Sequence, residues 1–303
     1  MGNKSSLEEM NVKFSLKHYI EKRGEIFATK VDEPIGVALE RMARHRIMSM
    51  PCVMGINEDI YGILDMGDIA QHIMTLAGKN NNEFPTSGWT ATVQSVLDSV
   101  PRANLLVLPL DASLHDVVAK MLDTRLHRAV IMNGPEIYAF LSQTTVLQFI
   151  SSNLSAMYEH QHETLEKLEC YTFRSLQTVS KSDSAQGALK RMLDHNISSL
   201  AVVDGNGRYL DEISIGDLRS IERDHISRFL TQSVEQFIAD RYRKPFMSCS
   251  LSTKFEEVLA LLLHEHRHRV YITGEGGILR GVITLSDILS EVNFFGTKNY
   301  IHH

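Results

Sequence analysis

The chain has 303 residues, 43% of them hydrophobic and 22% charged, a soluble globular composition with room for two domains. A net charge of −6 excludes a general nucleic-acid binder, which needs a basic face to displace counterions. No apolar run is long enough to span a bilayer. Cys52, Cys170 and Cys249 form no CxxC, so a reduced, cytoplasmic setting is expected, with nuclear or membrane-associated pools as alternatives.

The first residues, Met1-Gly2-Asn3-Lys4-Ser5-Ser6, fit the pattern for myristoylation of Gly2, and a single chain of that kind gives only weak membrane contact. The alternative is a disordered polar terminus. The terminus lacks the apolar core of a secretory signal, and residues 7–24 read as a partly amphipathic helix. A first unit, about 25–76, then predicts a strand near 26–29, a helix from Pro34, strands at 47–53 and 61–64, and a helix opening near Asp68. A polar loop at 78–88 follows. The second unit, about 104–150, predicts a helix at 114–124 and strands at 129–132 and 138–141. Residues 151–170 read as a helical connector. A third unit, about 173–220, has Asp204-Gly205-Asn206-Gly207 as its hairpin turn. A second helical connector at 221–241 leads to the fourth unit, about 245–292.

The units are copies of one another. ALERMARH at 38–45 returns as ALKRMLDH at 188–195, and LHR at 126–128 as RHR at 267–269. A polar turn recurs as DMGD (65–68), SQTT (142–145), SIGD (214–217) and TLSD (284–287). The expected architecture is α/β (α+β): four β-α-β-β-α repeats in two tandem pairs, 21–150 and 171–303, after a tail at 1–20. A unit of this kind cannot bury its sheet face alone, so two must pack together. Sequence order sets the His/Arg hinge before Val270 and the turn at 284–287 at opposite ends of one small hairpin.

His264-Glu265-His266-Arg267-His268 is formally H-E-x-x-H, but zinc binding needs both histidines on one continuing helix. The repeat predicts that the helix ends near Arg267. No Ser-His-Asp or Cys-His arrangement stands out, so the chain is expected not to be an enzyme.

The repeat, and above all HRVYITGEGGILRGVITLSDIL, LHRAVI at 126–131 and HNISSLAVVDGNGR at 195–208, resembles the CBS domain. Each pair would be a Bateman module and four repeats a flat, pseudo-symmetric disk. The strongest resemblance is to the γ regulatory subunits of AMP-activated protein kinase. It implies a non-catalytic, adenine-nucleotide-sensing subunit of an energy-sensing kinase, partnered by a catalytic subunit and a β-type scaffold. It implies no cofactor; AMP, ADP and ATP would be regulatory ligands held between repeats. The alternative is a stand-alone CBS protein that binds adenine nucleotides or scaffolds without regulating a kinase. Residues implied at the ribose are Asp68, Ser214, Asp217, Thr284 and Asp287, with Thr145 in place of an aspartate in repeat two. Those implied at the phosphates are His127, Arg128, His268, Arg269 and, more weakly, Arg46. A carboxylate accepting ribose hydroxyls makes charge-assisted bonds, and phosphates require fixed cations. Met48, Thr144 and Ile215 stand where the family carries basic residues, and Asp65 where it has Ser or Thr.

Overall fold

The computed structural model describes residues 26–56, 59–100, 105–173, 176–240 and 247–298; Gly2 and the 7–24 segment lie outside them. Repeat one is β1 (Thr29–Lys30), α1 (Ile35–His45), β2 (Ser49–Met54), β3 (Asp59–Asp65) and α2 (Met66–Lys79). Repeat two is β4 (Val107–Pro109), α3 (Leu114–Thr124), β5 (Arg128–Asn133), β6 (Glu136–Ser142) and α4 (Gln143–Ser152). Repeat three is β7 (Thr178–Ser180), α5 (Ala185–Asp194), β8 (Ser199–Val203) and β9 (Tyr209–Ser214). Repeat four is β10 (Ser248–Cys249), α6 (Phe255–His264), β11 (Arg269–Thr273), β12 (Leu279–Thr284) and α7 (Leu285–Lys298).

One set of apolar positions explains the first helix of every repeat. Ile35, Ala38, Leu39 and Met42 recur as Leu114, Val117, Val118 and Met121, as Ala185, Ala188, Leu189 and Met192, and as Phe255, Val258, Leu259 and Leu262, all buried. That spacing makes a single stripe on a helix, and each large side chain contributes about 1.5–3 kcal/mol by leaving water. Every sheet has three strands, the first parallel to the second and the second antiparallel to the third. Each hairpin carries an irregularity at the equivalent place, after Cys52, Ile131, Val202 and Ile272. Repeat three departs from the expected second helix. Ile215–Ser220 is a 3-10 turn, and Arg219 Nε donates to the Gly216 carbonyl at 3.2 Å, drawing on an acceptor of the backbone ladder.

Compactness does not follow chain order. One compact unit is Phe27–Arg102 with Gln177–Phe246, and the other contains Ala103–Leu176 with Met247–His303. Repeat one therefore shares a core with repeat three, and repeat two with repeat four, rather than 21–150 closing on itself and 171–303 on itself. In the first unit Ile73 and Met42 join one apolar cluster with Leu189, Phe229 and Leu218. In the second, Val117 and Leu147 join Phe255, Leu259 and Ile288.

The connectors explain this arrangement. The segment after repeat two docks on repeat four, where Leu165 N–H donates to the Thr253 carbonyl at 3.0 Å and Phe255 N–H to the Glu163 carbonyl at 2.9 Å. Tyr158, 2% exposed, packs its ring 4.6 Å from that of Phe255 and donates its hydroxyl to Glu291 at 2.7 Å. Residues 84–99, partly read as loop, close repeat one and lean on the segment after repeat three, with Phe84 N–H donating to Ser227 Oγ at 3.1 Å.

A chain ending at Ile150 would leave the helix stripes of repeats one and two uncovered. Such a fragment is expected to self-associate and to bind ANS strongly. A monomeric, ANS-silent fragment with a sharp melt would show that consecutive repeats complete each other's cores.

Candidate functional site

The hinge that follows each first helix and the polar turn that opens the next helical segment meet at one end of the hairpin. Ser49 pairs with Asp65, Arg128 with Ser142, Ser199 with Ser214 and Arg269 with Thr284. Just before these pairs, Met66 N–H donates to the Met48 carbonyl, Gln143 N–H to His127, Ile215 N–H to Ser198 and Leu285 N–H to His268, all at 3.0–3.1 Å. The expectation of opposite ends is thus corrected. The first residue of one strand and the last of its antiparallel neighbour are adjacent by geometry.

Each hinge is also a left-handed kink without glycine. Arg46 (φ 54), Arg125 (φ 56), Asn196 (φ 51) and His266 (φ 51) hold this conformation, which costs an L-residue about 1–2 kcal/mol. The kink ends α6 at His264, so the two histidines of the H-E-x-x-H string do not share a helix and the zinc arrangement does not form.

The turns place their acids at the third helical position. Asp287 Oδ2 accepts from Thr284 N–H at 2.7 Å and from its hydroxyl at 2.6 Å. Asp217 Oδ2 accepts from Ser214 N–H at 2.8 Å and from its hydroxyl at 3.0 Å. Both are capping boxes. In repeat one Asp65 takes the hydroxyl residue's place: its Oδ1 accepts from Gly67 N–H (2.6 Å) and Asp68 N–H (3.1 Å), while Asp68 Oδ2 accepts from Asp65 N–H (2.8 Å). In repeat two Thr145 offers a hydroxyl 3.0 Å from Ser142 Oγ and no carboxylate. Burial pushes the Asp287 carboxyl up, opposed by its Thr284 hydrogen bonds and the Arg269 charge. Arg269 therefore lies within electrostatic reach of Asp287, as the shared hairpin end requires.

Repeats two and four belong to one unit, and their turns touch: Gln143 Nε2 donates to Ser286 Oγ at 3.0 Å. His127 and His268 are exposed and Arg128 and Arg269 half-buried, each pair at its own hairpin end. In the other unit the hinges carry Met48 and Ser198, with Arg46 exposed. A cation that sequence reasoning missed, Arg219, is half-buried there and spans from turn three to the Ile47 carbonyl of hinge one at 3.1 Å. It lies outside the S/T-x-x-D string, and no sequence signal marks it.

Burial first, and the Asp65 charge second, push the Asp68 carboxyl from 3.8 up to about 7. Between those values the native chain holds a proton that the unfolded chain has released, so stability falls as pH rises through this window. Asp68→Asn keeps an acceptor for Asp65 N–H and removes the charge. It is expected to raise stability at pH 8 by about 1–3 kcal/mol and to change little near pH 4, as read by urea titration. Equal stability of variant and wild type at pH 8 would contradict the raised value.

Comparison with known proteins agrees with this geometry. The family model described as CBS domain matches residues 22–75, 170–224 and 238–293; repeat two, outside those ranges, has the same strand order. The 5'-AMP-activated protein kinase subunit gamma of Kluyveromyces lactis is 22% identical over 60% of this chain and 58% of its own length. Human 5'-AMP-activated protein kinase subunit gamma-3 is 26% identical over 58% of this chain and 37% of its own. Protein SDS23 of Kluyveromyces lactis is 24% identical over 90% of this chain and 61% of its own. The chain thus spans less than two thirds of the length of each of these relatives. A Methanocaldococcus jannaschii crystal structure, a candidate archaeal homologue of γ-AMPK, superposes with TM-score 0.76 at 14% identity, over 90% of this chain and 98% of that one. An uncharacterized conserved Pyrococcus horikoshii protein does so with TM-score 0.54 at 16% identity, over 81% and 91%. Four copies of one β-α-β-β unit, three of them matched outright, make the conclusion plain: the chain belongs to the CBS domain family and is similar to AMP-activated protein kinase γ subunits.

Proposed function

We propose that this protein is a non-catalytic adenine-nucleotide sensor of the γ type. It would hold AMP, ADP or ATP with the turns Ser214–Asp217 and Thr284–Asp287 toward the ribose and the hinge cations toward the phosphates. The observation that carries this reading is the shared hairpin end, where a carboxylate and an arginine, Asp287 and Arg269, stand together in repeat four. A ribose offers paired hydroxyl donors to the first, and a phosphate offers charge to the second. His268, Arg128 and His127 take the same phosphate role, and Asp68 is a weak ribose acceptor because burial and the Asp65 charge favour its protonated form. Burial pushes all three cysteine thiols up to about 12, so none supplies a thiolate nucleophile at neutral pH. Competition among nucleotides of different charge would shift a bound partner between states only by their difference in affinity.

The likeness to γ subunits supports a kinase catalytic chain and a β-type scaffold as partners, and the Met1–Ser6 pattern supports acylation of Gly2. A second reading is a stand-alone CBS protein, and it draws on a relative whose name carries no kinase subunit. The match to Protein SDS23 runs over 90% of the chain, against 60% and 58% for the γ subunits.

Asp217→Ala and Asp287→Ala are each expected to weaken nucleotide binding at their own turn by about 10- to 150-fold, the loss of a charged acceptor. His268→Ala with Arg269→Ala should penalise ATP, ADP and AMP more than adenosine, and Thr145→Ala should change little. Calorimetric titration reads all of these. Folded aspartate variants that bind as wild type does would reduce the turns to helix caps. Purification at native levels separates the two partner readings: co-elution with a kinase catalytic chain and scaffold is expected, and repeated recovery of a lone chain or self-dimer would favour the stand-alone one.

A further inference from the structure

The two compact units distribute positive charge differently. In the unit of repeats two and four, the hinges carry His127-Arg128 and His268-Arg269. In the unit of repeats one and three, the same positions are Met48-Ser49 and Ser198-Ser199, with no basic side chain. Hinge one nevertheless abuts turn three. A Cβ on Gly216 would lie 3.1 Å from both Sδ and Cε of Met48, so the side chain that stands in place of the hinge cation lies against turn three. Arg219 reaches hinge one from the turn side. Its Nε donates to the Gly216 carbonyl at 3.2 Å and its Nη1 to the Ile47 carbonyl at 3.1 Å. Carbonyl bonds orient a guanidinium without cancelling its charge, and Nη2 stays available to an anion. Among the described residues Nη2 of Arg219 and the whole guanidinium of Arg46 have no hydrogen bond or ion pair. Burial lowers the Arg219 pKa, the Asp217 charge opposes this, and Arg46 adds to it. The two arginines are thus close enough to repel.

We propose that Arg219 and Arg46 together form the phosphate-binding pair of the repeat one and three unit, with Arg219 supplying from turn three the charge that Met48 does not supply from hinge one. The ligand class is a phosphomonoester or pyrophosphate group, carried on the nucleoside whose ribose meets Asp217. The inference rests on the nucleotide reading for the nucleoside but not for the anion. Arg219 bonds the carbonyl of the residue next to Arg46, so a group bearing two negative charges between the two guanidiniums relieves their repulsion, and one arginine fixed by the backbone spares that ligand part of the ordering cost.

The test uses the full-length chain carrying Asp287→Ala, which removes the competing turn of repeat four, and compares Arg219, Arg219→Gln and Arg219→Lys. Each is titrated with adenosine, AMP and pyrophosphate in a calorimeter, with thermal melts to confirm folding. Arg219→Gln is expected to weaken AMP and pyrophosphate about tenfold and adenosine less than twofold, the loss of one charge-assisted contact. Arg219→Lys should keep most of the AMP preference because it keeps the charge. Equal weakening of adenosine and AMP would overturn the proposal and leave Arg219 as a strut for the turn, and unchanged AMP and pyrophosphate binding would overturn it outright. Pyrophosphate binding that is lost in Arg219→Gln, without any adenosine or AMP binding, would uphold the anion pair and refute the nucleotide reading. Absence of binding by all three probes would refute both.

Discussion

A single backbone hydrogen bond, made four times, fixes what this protein can do. The first N–H of each second helical segment donates to the hinge carbonyl that precedes the middle strand: Met48, His127, Ser198 or His268. A helix N-terminus leaves its first amides unsatisfied, and the hinge supplies one acceptor while the N-cap residue and its capping-box partner deal with others. The bond closes the mouth of the hairpin. It brings together residues 16–18 positions apart in sequence and places the turn beside the hinge. In repeats two and four the helix dipole and the hinge cations then face the same locality, which suits an anion carried on a polyhydroxylated group.

The interleaved pairing of repeats follows from the same economy of burial. A helix stripe of four apolar residues is too large to leave in water, and the repeat two places along the chain shares its cluster. The connectors decide the partner. Leu165, after repeat two, ties to Thr253 of repeat four, and Phe84, after repeat one, ties to Ser227 after repeat three. Each unit therefore combines turns and hinges from distant parts of the chain, and a change in one repeat is felt by its partner through a common core.

Much of this was legible in the residues. The helix stripes, the turn punctuation at Asp204-Gly207 and the acids at 68, 217 and 287 all recur at fixed positions, and self-similarity makes weak local signals strong. Pairing was not legible, because identical stripes are indifferent to which copy covers them. The left-handed kinks escaped notice since Arg46, Arg125 and His266 are not the residues that usually signal positive φ. The 3-10 turn after Ser214 was hidden for a related reason: Ile215-Gly216-Asp217-Leu218 has helical spacing, and only the tertiary reach of Arg219 marks the departure. Arg219 itself reads in sequence as an ordinary exposed arginine. Its position against hinge one, beside the methionine that breaks the basic pattern, exists only in three dimensions.

The central claim is that hinge and turn together recognise an adenine nucleotide. Native mass spectrometry of the intact protein, sprayed from a solution containing adenosine, AMP, ADP and ATP, tests it most directly. The account predicts discrete added masses of the phosphorylated nucleosides, with adenosine the weakest of the four competitors. A spectrum showing only the bare chain at millimolar nucleotide, from protein that melts cooperatively, would contradict it.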